Sequence, residues 1–86
     1  MVNKDPYRMA ARGILSALGE ELRERRLAKG LTQDALAAKA GLHRNFIGML
    51  ERGERNVTVL ALEAIAGVLK QPVSELLLGA EKRKKA

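Results

Sequence analysis

The sequence has no cysteine and no tryptophan, and it holds only one histidine, one tyrosine and one phenylalanine among 86 residues. Without cysteine there is neither a disulfide nor a thiolate metal site, and a lone histidine, His43, cannot form a metal cluster by itself. Apolar runs are also short, and none approaches the roughly 20 residues that cross a bilayer. The charged N-terminus has no apolar signal region after it. We therefore expect a cytoplasmic protein with no metal and no membrane contact.

Patterns typical of enzymes are missing as well. The sequence contains no glycine-rich loop that would cradle a phosphate, no nucleophile–base pair and no cluster of metal ligands. Ser16 and Ser74 have no histidine at a suggestive spacing. We expect no catalytic residue, no cofactor and no small-molecule ligand.

Leucine and alanine dominate the apolar residues, whereas β-branched residues are few. This composition, with no stretch of alternating apolar and polar residues, predicts an all-α protein. The length allows one domain only, and a domain of this size buries a modest share of its surface. A partner chain would supply additional burial.

The formal net charge is +6, which favours a polyanionic partner. Most of the excess lies near the chain ends, because residues 16–78 hold nine basic and eight acidic side chains. Net charge alone therefore does not identify the body of the protein as a nucleic-acid binder. Whether the body of the protein binds nucleic acid has to be judged from the placement of individual residues.

Hydrophobic periodicity and capping residues predict five helices. Their approximate ranges are 15–29, 33–40, 43–52, 59–69 and 73–78. Residues 15–78 form the predicted domain. Residues 1–14 are predicted to be an extension, either disordered or a frayed helix around 7–11. Residues 79–86 are predicted to be a basic disordered tail.

The second and third predicted helices are short and are joined by about three residues that include Gly41. This arrangement is typical of a helix-turn-helix, whose second helix enters the major groove of DNA. Residues 31–66 closely resemble the lambda-repressor-like (XRE-type) helix-turn-helix family, within a similarity that covers about residues 18–77. The elements that carry the resemblance are Leu31-Thr32-Gln33, Leu36-Ala37, Ala40-Gly41-Leu42, Ile47, Glu51-Arg52-Gly53, Leu62, Ile65-Ala66 and Leu69. Residues 41–48 and 51–56 also resemble the controller proteins of restriction–modification systems. The resemblance implies a five-helix fold and a regulator of transcription, such as a repressor.

The third predicted helix has a polar side that suits base recognition. With Ile47, Leu50 and Glu51 directed inward, four residues share the outer face: Arg44, Asn45, Gly48 and Met49. Arginine can bind guanine and asparagine can bind adenine through two hydrogen bonds each, and Met49 could touch a thymine methyl. Glycine within a helix costs about 1 kcal/mol relative to alanine. Gly48 therefore either permits a close approach to DNA or is a tolerated surface position.

Contacts to the DNA backbone are expected on both sides of this helix. The candidates are Thr32, Gln33, His43, Phe46, Arg52, Arg55 and Asn56. Gln33 opens the second helix, whose free N–H groups attract phosphate, and in the resembled family a glutamine at this place binds one. Thr32 is also expected to cap that helix, and His43 either caps the third helix or contacts a phosphate. Phe46 either belongs to the core or packs on a base or sugar.

Two charged residues continue the apolar stripes of their helices. Arg26 follows the stripe of the first helix and Glu51 that of the third, where an unpaired charge is costly. Pairing one with the other removes both costs, and the resemblance implies the same buried ion pair. We interpret it as a structural link between these two helices.

The fourth predicted helix is apolar on nearly all sides, since residues 57–69 contain one charged residue, Glu63. Such a helix is buried on nearly all sides. We therefore predict a symmetric homodimer whose interface contains Val59, Leu60, Ala64, Val68, Leu76 and Leu78. The alternative is a larger internal core that the N-terminal segment completes.

Two other functions compete with DNA binding. Helix-turn-helix domains also serve as antitoxins or adaptors that mainly bind another protein. An adaptor would show apolar residues on the outer face of the third helix, whereas Arg44 and Asn45 suit base edges. The basic tail could also contact anionic lipid, but only residues 82–85 favour that interpretation.

Overall fold

The structure is a computed structural model that describes residues 5–85. Within these residues the chain forms five α-helices and no strand, as the composition predicted. They are α1 (Pro6–Ala28), α2 (Gln33–Ala40), α3 (Arg44–Glu51), α4 (Val59–Leu69) and α5 (Val73–Lys85). In the described part of the chain, no helix combines the length and the apolar character that crossing a bilayer requires.

The first helix begins about nine residues earlier than predicted. The Asp5 carboxylate accepts a hydrogen bond from the Tyr7 amide at 3.0 Å and caps the helix. Pro6 follows in the first turn, where a missing N–H costs little. The predicted extension is therefore the start of one continuous helix, except for residues 1–4, which lie outside the described residues.

The last helix is also longer than predicted, and the predicted disordered tail is wrong for residues 79–85. Contacts with α1 explain this difference. Ala80 is fully buried, and Gly79 lies against the Glu21 side chain. Arg83 donates to the Glu21 and Glu24 carboxylates over 2.8 and 2.6 Å. Residue 86 lies outside the described residues.

A single apolar core joins all five helices. Its largest fully buried side chains are Leu18, Leu22, Leu36, Ile47, Leu50, Ile65, Leu69 and Leu76. Helix α1 approaches α3 very closely at Gly19. A Cβ atom added there would lie 2.5 Å from the carbonyl oxygen of Leu50. This contact fixes the inner face and the C-terminal end of α3 against α1.

Candidate nucleic-acid interface

A tight turn connects α2 to α3. Gly41 ends α2 in the left-handed conformation, with φ 73° and ψ 33°, which glycine adopts without steric cost. The Leu42 amide then donates to the Ala37 carbonyl over 2.9 Å, and the Leu42 side chain packs against the core. These contacts satisfy the last carbonyls of α2 and hold α3 at a defined angle to it. The pair of helices therefore forms a helix-turn-helix.

A buried ion pair holds the end of α3 to α1. Arg26 donates from Nε to Glu51 Oε2 over 2.7 Å and from Nη2 to Glu51 Oε1 over 2.9 Å. Its remaining Nη1 donates to the Leu31 carbonyl over 2.8 Å. The hydrogen-bonded carboxylate raises the pKa of Arg26, although burial opposes the charged form. The two charges predicted from the apolar stripes are thus paired and supplied with hydrogen bonds.

Gln33 has a role that sequence reasoning missed. Its side-chain Nε2 donates to Glu51 Oε1 over 3.0 Å. The first residue of α2 is therefore tied to the same carboxylate as Arg26, so α1, α2 and α3 meet at Glu51. Because this bond uses one of the two Nε2 hydrogens, the backbone amide, Oε1 and the second Nε2 hydrogen of Gln33 are left for other contacts.

The outer face of α3 is polar and open. Arg44 and Asn45 are exposed, and Met49 is half-buried beside them. Together with α2 and the end of α3, these residues line a groove of about 300 Å³. Its lining consists of Gln33, Arg44, Asn45, Gly48, Met49 and Arg52. A groove with this lining offers several hydrogen-bond donors to an acceptor-rich partner.

Gly48 was predicted to lie on the exposed outer face of α3, but it is buried. The reason is coverage by long side chains. A Cβ atom added at Gly48 would lie 3.4 Å from Arg52 Nη1 and 3.5 Å from Gln33 Oε1. Gly48 is the floor of the groove, and a base could approach it only after these side chains move.

Both arginines that border the groove have acidic partners. Arg44 Nε lies 3.0 Å from Asp34 Oδ1, and Arg52 Nε lies 3.1 Å from Glu54 Oε1. All four side chains are largely exposed. Asp34 lies in the first turn of α2, where a negative charge suits the helix dipole. Its pairing with Arg44 depends on the angle between two helices, which no local pattern reveals.

Two predicted contact residues occupy the N-cap positions of α2 and α3. Thr32 Oγ1 accepts from the Ala35 amide over 3.0 Å, which caps α2. His43 is the N-cap residue of α3, but its side chain makes no capping hydrogen bond and is exposed. The first residues of both helices, Gln33 and Arg44, line the groove, so both helix N-termini lie beside it.

The remaining predicted contacts surround the loop after α3. Phe46 is half-buried against the core, and the Arg55 guanidinium lies over its ring, with Cζ 5.6 Å from the centroid. Asn56 is exposed and its Oδ1 accepts from the Val57 amide over 3.0 Å. Phe46 therefore packs at the edge of the core, which is one of its two predicted roles, and its ring also supports the Arg55 guanidinium.

An exposed apolar surface lies on α4 and α5. Val59 is 78% and Leu60 82% exposed, and Leu78 is also exposed. Ala64 and Val68 are half-buried. Leu76 was predicted at the same surface, which is wrong, because it is fully buried in the chain's own core. Its neighbour Leu77 is exposed instead, since a one-residue step on a helix turns the side chain by about 100°.

Comparison with known proteins places these features in context. The helix-turn-helix family model matches residues 22–76. The chain is 44% identical to the control protein C.SmaI of Serratia marcescens, over 74% of this chain and 76% of that protein. It is also similar to the crystal structure of the restriction–modification controller protein C.AhdI from Aeromonas hydrophila. That similarity has a TM-score of 0.71 and 44% identity, and it covers 72% of this chain and 94% of the other.

A third similar structure contains DNA. It is the restriction–modification controller protein C.Esp1396I, as a tetramer in complex with its natural 35 base-pair operator. The TM-score is 0.76 and the identity 33%, over 85% of this chain and 96% of the other.

Proposed function

Because this chain belongs to the helix-turn-helix family, we propose that it is a sequence-specific transcriptional regulator that binds double-stranded DNA. The proposed target is an inverted-repeat operator, which a homodimer of this chain binds in the cytoplasm. Since relatives are named as control proteins and as restriction–modification controllers, the proposed regulated genes are those of a restriction–modification system.

One observation carries this proposal: the two sides of α3 differ completely. The inner side ends in the buried Glu51 and is fixed by Arg26, whereas Arg44 and Asn45 project into solvent from the other side. Side chains on a fixed helix can reach base edges at a reproducible depth. Arg44 suits guanine, Asn45 suits adenine, and Met49 offers an apolar contact to a thymine methyl. We therefore assign α3 as the recognition helix.

Contacts to phosphates would position this helix. The N-terminus of α2 offers free amides at Thr32 and Gln33, which attract phosphate together with the helix dipole. Arg52, Arg55 and Asn56 border the other end of α3 and suit the flanking backbone, as does His43 at its start. Such contacts fix orientation but carry no sequence information by themselves. Binding should weaken steeply with salt, because counterions are released from the neutralised phosphates.

A second copy of this chain is the proposed partner of the exposed apolar surface. Val59 and Leu60 lie in the first turn of α4, followed along the helix by Ala64 and Val68. Leu78 belongs to the adjoining α5. A two-fold dimer through this surface would place two recognition helices about 34 Å apart, one turn of DNA. Leu60→Glu should shift the protein to a monomer in sedimentation. A wild-type protein that sediments only as a monomer at micromolar concentration would contradict the dimer.

Selection of duplexes from a random pool tests the proposed function directly. The wild-type protein should enrich one inverted repeat, and an Arg44→Ala, Asn45→Ala double variant should not. Circular dichroism of the variant serves as the control for folding, because both side chains are exposed and their removal should leave the helices intact. If both proteins enriched the same sequence, Arg44 and Asn45 of α3 would not be the residues that recognise the bases. If neither protein binds DNA, the alternative of an antitoxin or adaptor is favoured.

A further inference from the structure

Asp34 is an acidic side chain on the face that the proposed function turns towards DNA. Its carboxylate lies 3.0 Å from Arg44 Nε, and its side chain is 73% exposed. It stands in the first turn of α2, beside the amides proposed to bind phosphate. A negative charge there opposes DNA binding in general, because like charges repel across an interface. Asp34 therefore weakens the attraction to any duplex, whatever its sequence.

The geometry of the pair leaves Arg44 able to read a base. A guanidinium has five N–H groups, of which one is on Nε and four are on the two terminal nitrogens. The Asp34 carboxylate lies on the Nε side of the guanidinium, where it forms an ion pair. Among residues 5–85, no second acidic group forms an ion pair with Arg44. The terminal nitrogens can then donate together to O6 and N7 of a guanine, which is the usual bidentate contact.

We propose that Asp34 is a positioning residue that directs Arg44 to guanine and thereby increases sequence selectivity. This inference rests on the proposed function. Without Asp34, the long Arg44 side chain has more rotamers, and some of them reach phosphates instead of bases. A phosphate contact carries no sequence information. Asp34 thus raises the ratio of specific to nonspecific binding by orienting Arg44, whereas its repulsion lowers the affinity for every duplex alike.

The Arg52–Glu54 pair provides a matched control. It has a similar distance, 3.1 Å, and similar exposure, with side chains 59% and 57% exposed. Arg52 follows the end of α3 and is assigned to the DNA backbone. Removing Glu54 should therefore strengthen binding to all duplexes alike, whereas removing Asp34 should change the choice of base.

The test uses full-length wild type, Asp34→Ala, Asp34→Asn and Glu54→Ala, with the selected operator and its single-base variants. Asp34→Ala should lower the preference for guanine at one position of each half-site by roughly two- to fivefold, the ratio that an exposed ion pair supports. Asp34→Asn keeps the size of the side chain but removes the charge of the ion pair, so it should lower the guanine preference to a similar extent. Glu54→Ala should leave every base preference unchanged. Thermal stability should stay near that of wild type in all three variants.

Two outcomes would overturn the inference. One is an Asp34→Ala protein that keeps the full guanine preference. The other is a loss of preference that Asp34→Ala also produces in an Arg44→Ala background, where no Arg44 remains to be positioned. A wild-type protein that selects no sequence would instead overturn the proposed function itself. The two failures are therefore distinguishable in one set of measurements.

Discussion

The two ends of α3 each carry an ion pair to another helix, but their surroundings differ. At the C-terminal end, the Arg26 and Glu51 side chains are 8% and 3% exposed and are further supplied with hydrogen bonds. At the N-terminal end, the Arg44 and Asp34 side chains are 62% and 73% exposed. Breaking a buried pair leaves a desolvated charge, whereas an exposed pair contributes little to stability because water and salt screen it.

In our proposal, this difference separates folding from recognition along the eight residues of α3. Glu51 joins α1, α2 and α3 and cannot exchange its partners without opening the core. Arg44 can exchange water for a base edge at small cost. The same chemical pair therefore acts as a structural link where it is buried and, in our proposal, as an adjustable reader where it is exposed.

Breaking the buried pair should have the largest effect. Glu51→Ala leaves Arg26 buried without a partner and should lower the free energy of unfolding by about 3–5 kcal/mol. Urea denaturation followed by circular dichroism measures this change. Asn45→Ala is the matched control on the same helix and should change stability by less than about 0.5 kcal/mol, since its side chain is exposed. Equal stability of the two variants would contradict the structural role of the pair.

Removing the exposed Arg44 side chain should weaken DNA binding and leave the stability of the fold unchanged. Arg44→Ala should weaken operator binding by about 1–3 kcal/mol, the discrimination that a bidentate base contact provides. Fluorescence anisotropy with a labelled operator measures the loss. The urea midpoint of the variant should match that of wild type. A variant that binds the operator as wild type does would show that Arg44 reads no base.

A third set of ion pairs, in which Glu21 of α1 contacts Arg83 of α5, is partly exposed. It makes the stability of the protein depend on pH. Burial opposes ionisation of Glu21, but hydrogen bonds from Arg83 and Arg25 outweigh it and lower the pKa of Glu21 below its ordinary value of 4.5. A depressed pKa stabilises the folded state above the unfolded pKa, and this contribution disappears as pH falls through the folded pKa.

Glu21→Gln should therefore destabilise the protein by roughly 1–2 kcal/mol at neutral pH, the scale of a charge-assisted hydrogen bond. The difference from wild type should shrink as pH falls below 4.5, where the carboxylate of the unfolded chain takes up a proton, and should be smallest below the lower pKa of the folded state. Urea denaturation at pH 7 and at a series of acidic pH values measures it. If the stability difference between Glu21→Gln and wild type stayed constant with pH, the effect of the substitution would come from packing and not from charge.

Gly48 gives the smallest expected effect and sharpens the description of the groove. Gly48→Ala should stabilise α3 by about 0.5–1 kcal/mol, because alanine has the higher helix propensity. The new methyl has ordinary space, since its nearest neighbours are the ends of the Arg52 and Gln33 side chains. Operator affinity should stay within about twofold of wild type if DNA does not reach the floor of the groove. A large loss of affinity would instead support a close approach of DNA at this glycine.

Local patterns in the sequence predicted the parts of the fold that local interactions determine. Gly41 marks the turn because only its left-handed conformation closes α2, and Thr32 caps α2 through a bond three residues away. The Arg26–Glu51 pair was also predictable, because each charge interrupts an apolar stripe and so requires a partner. These signals depend on neighbours in the chain or on burial, both of which composition and spacing reveal.

Features that depend on contacts between distant segments could not be predicted in the same way. The length of α5 depends on the contact of Gly79 and Arg83 with Glu21, about sixty residues apart in the sequence. The burial of Leu76 and the exposure of Leu77 depend on the rotation of α5 about its axis. Asp34 meets Arg44 only because the turn at Gly41 sets the angle between two helices. None of these relations has a period or a spacing that marks it.

The central claim is that Arg44 reads a base. The most direct test measures the affinity of wild type and of Arg44→Ala for a set of operators, each of which carries one single-base substitution in one half-site. Our account predicts that the variant loses discrimination at one position, where wild type prefers guanine, and keeps the wild-type preference at the others. A loss of affinity that is equal for every operator, or discrimination that persists at all positions, would show that Arg44 does not read the bases.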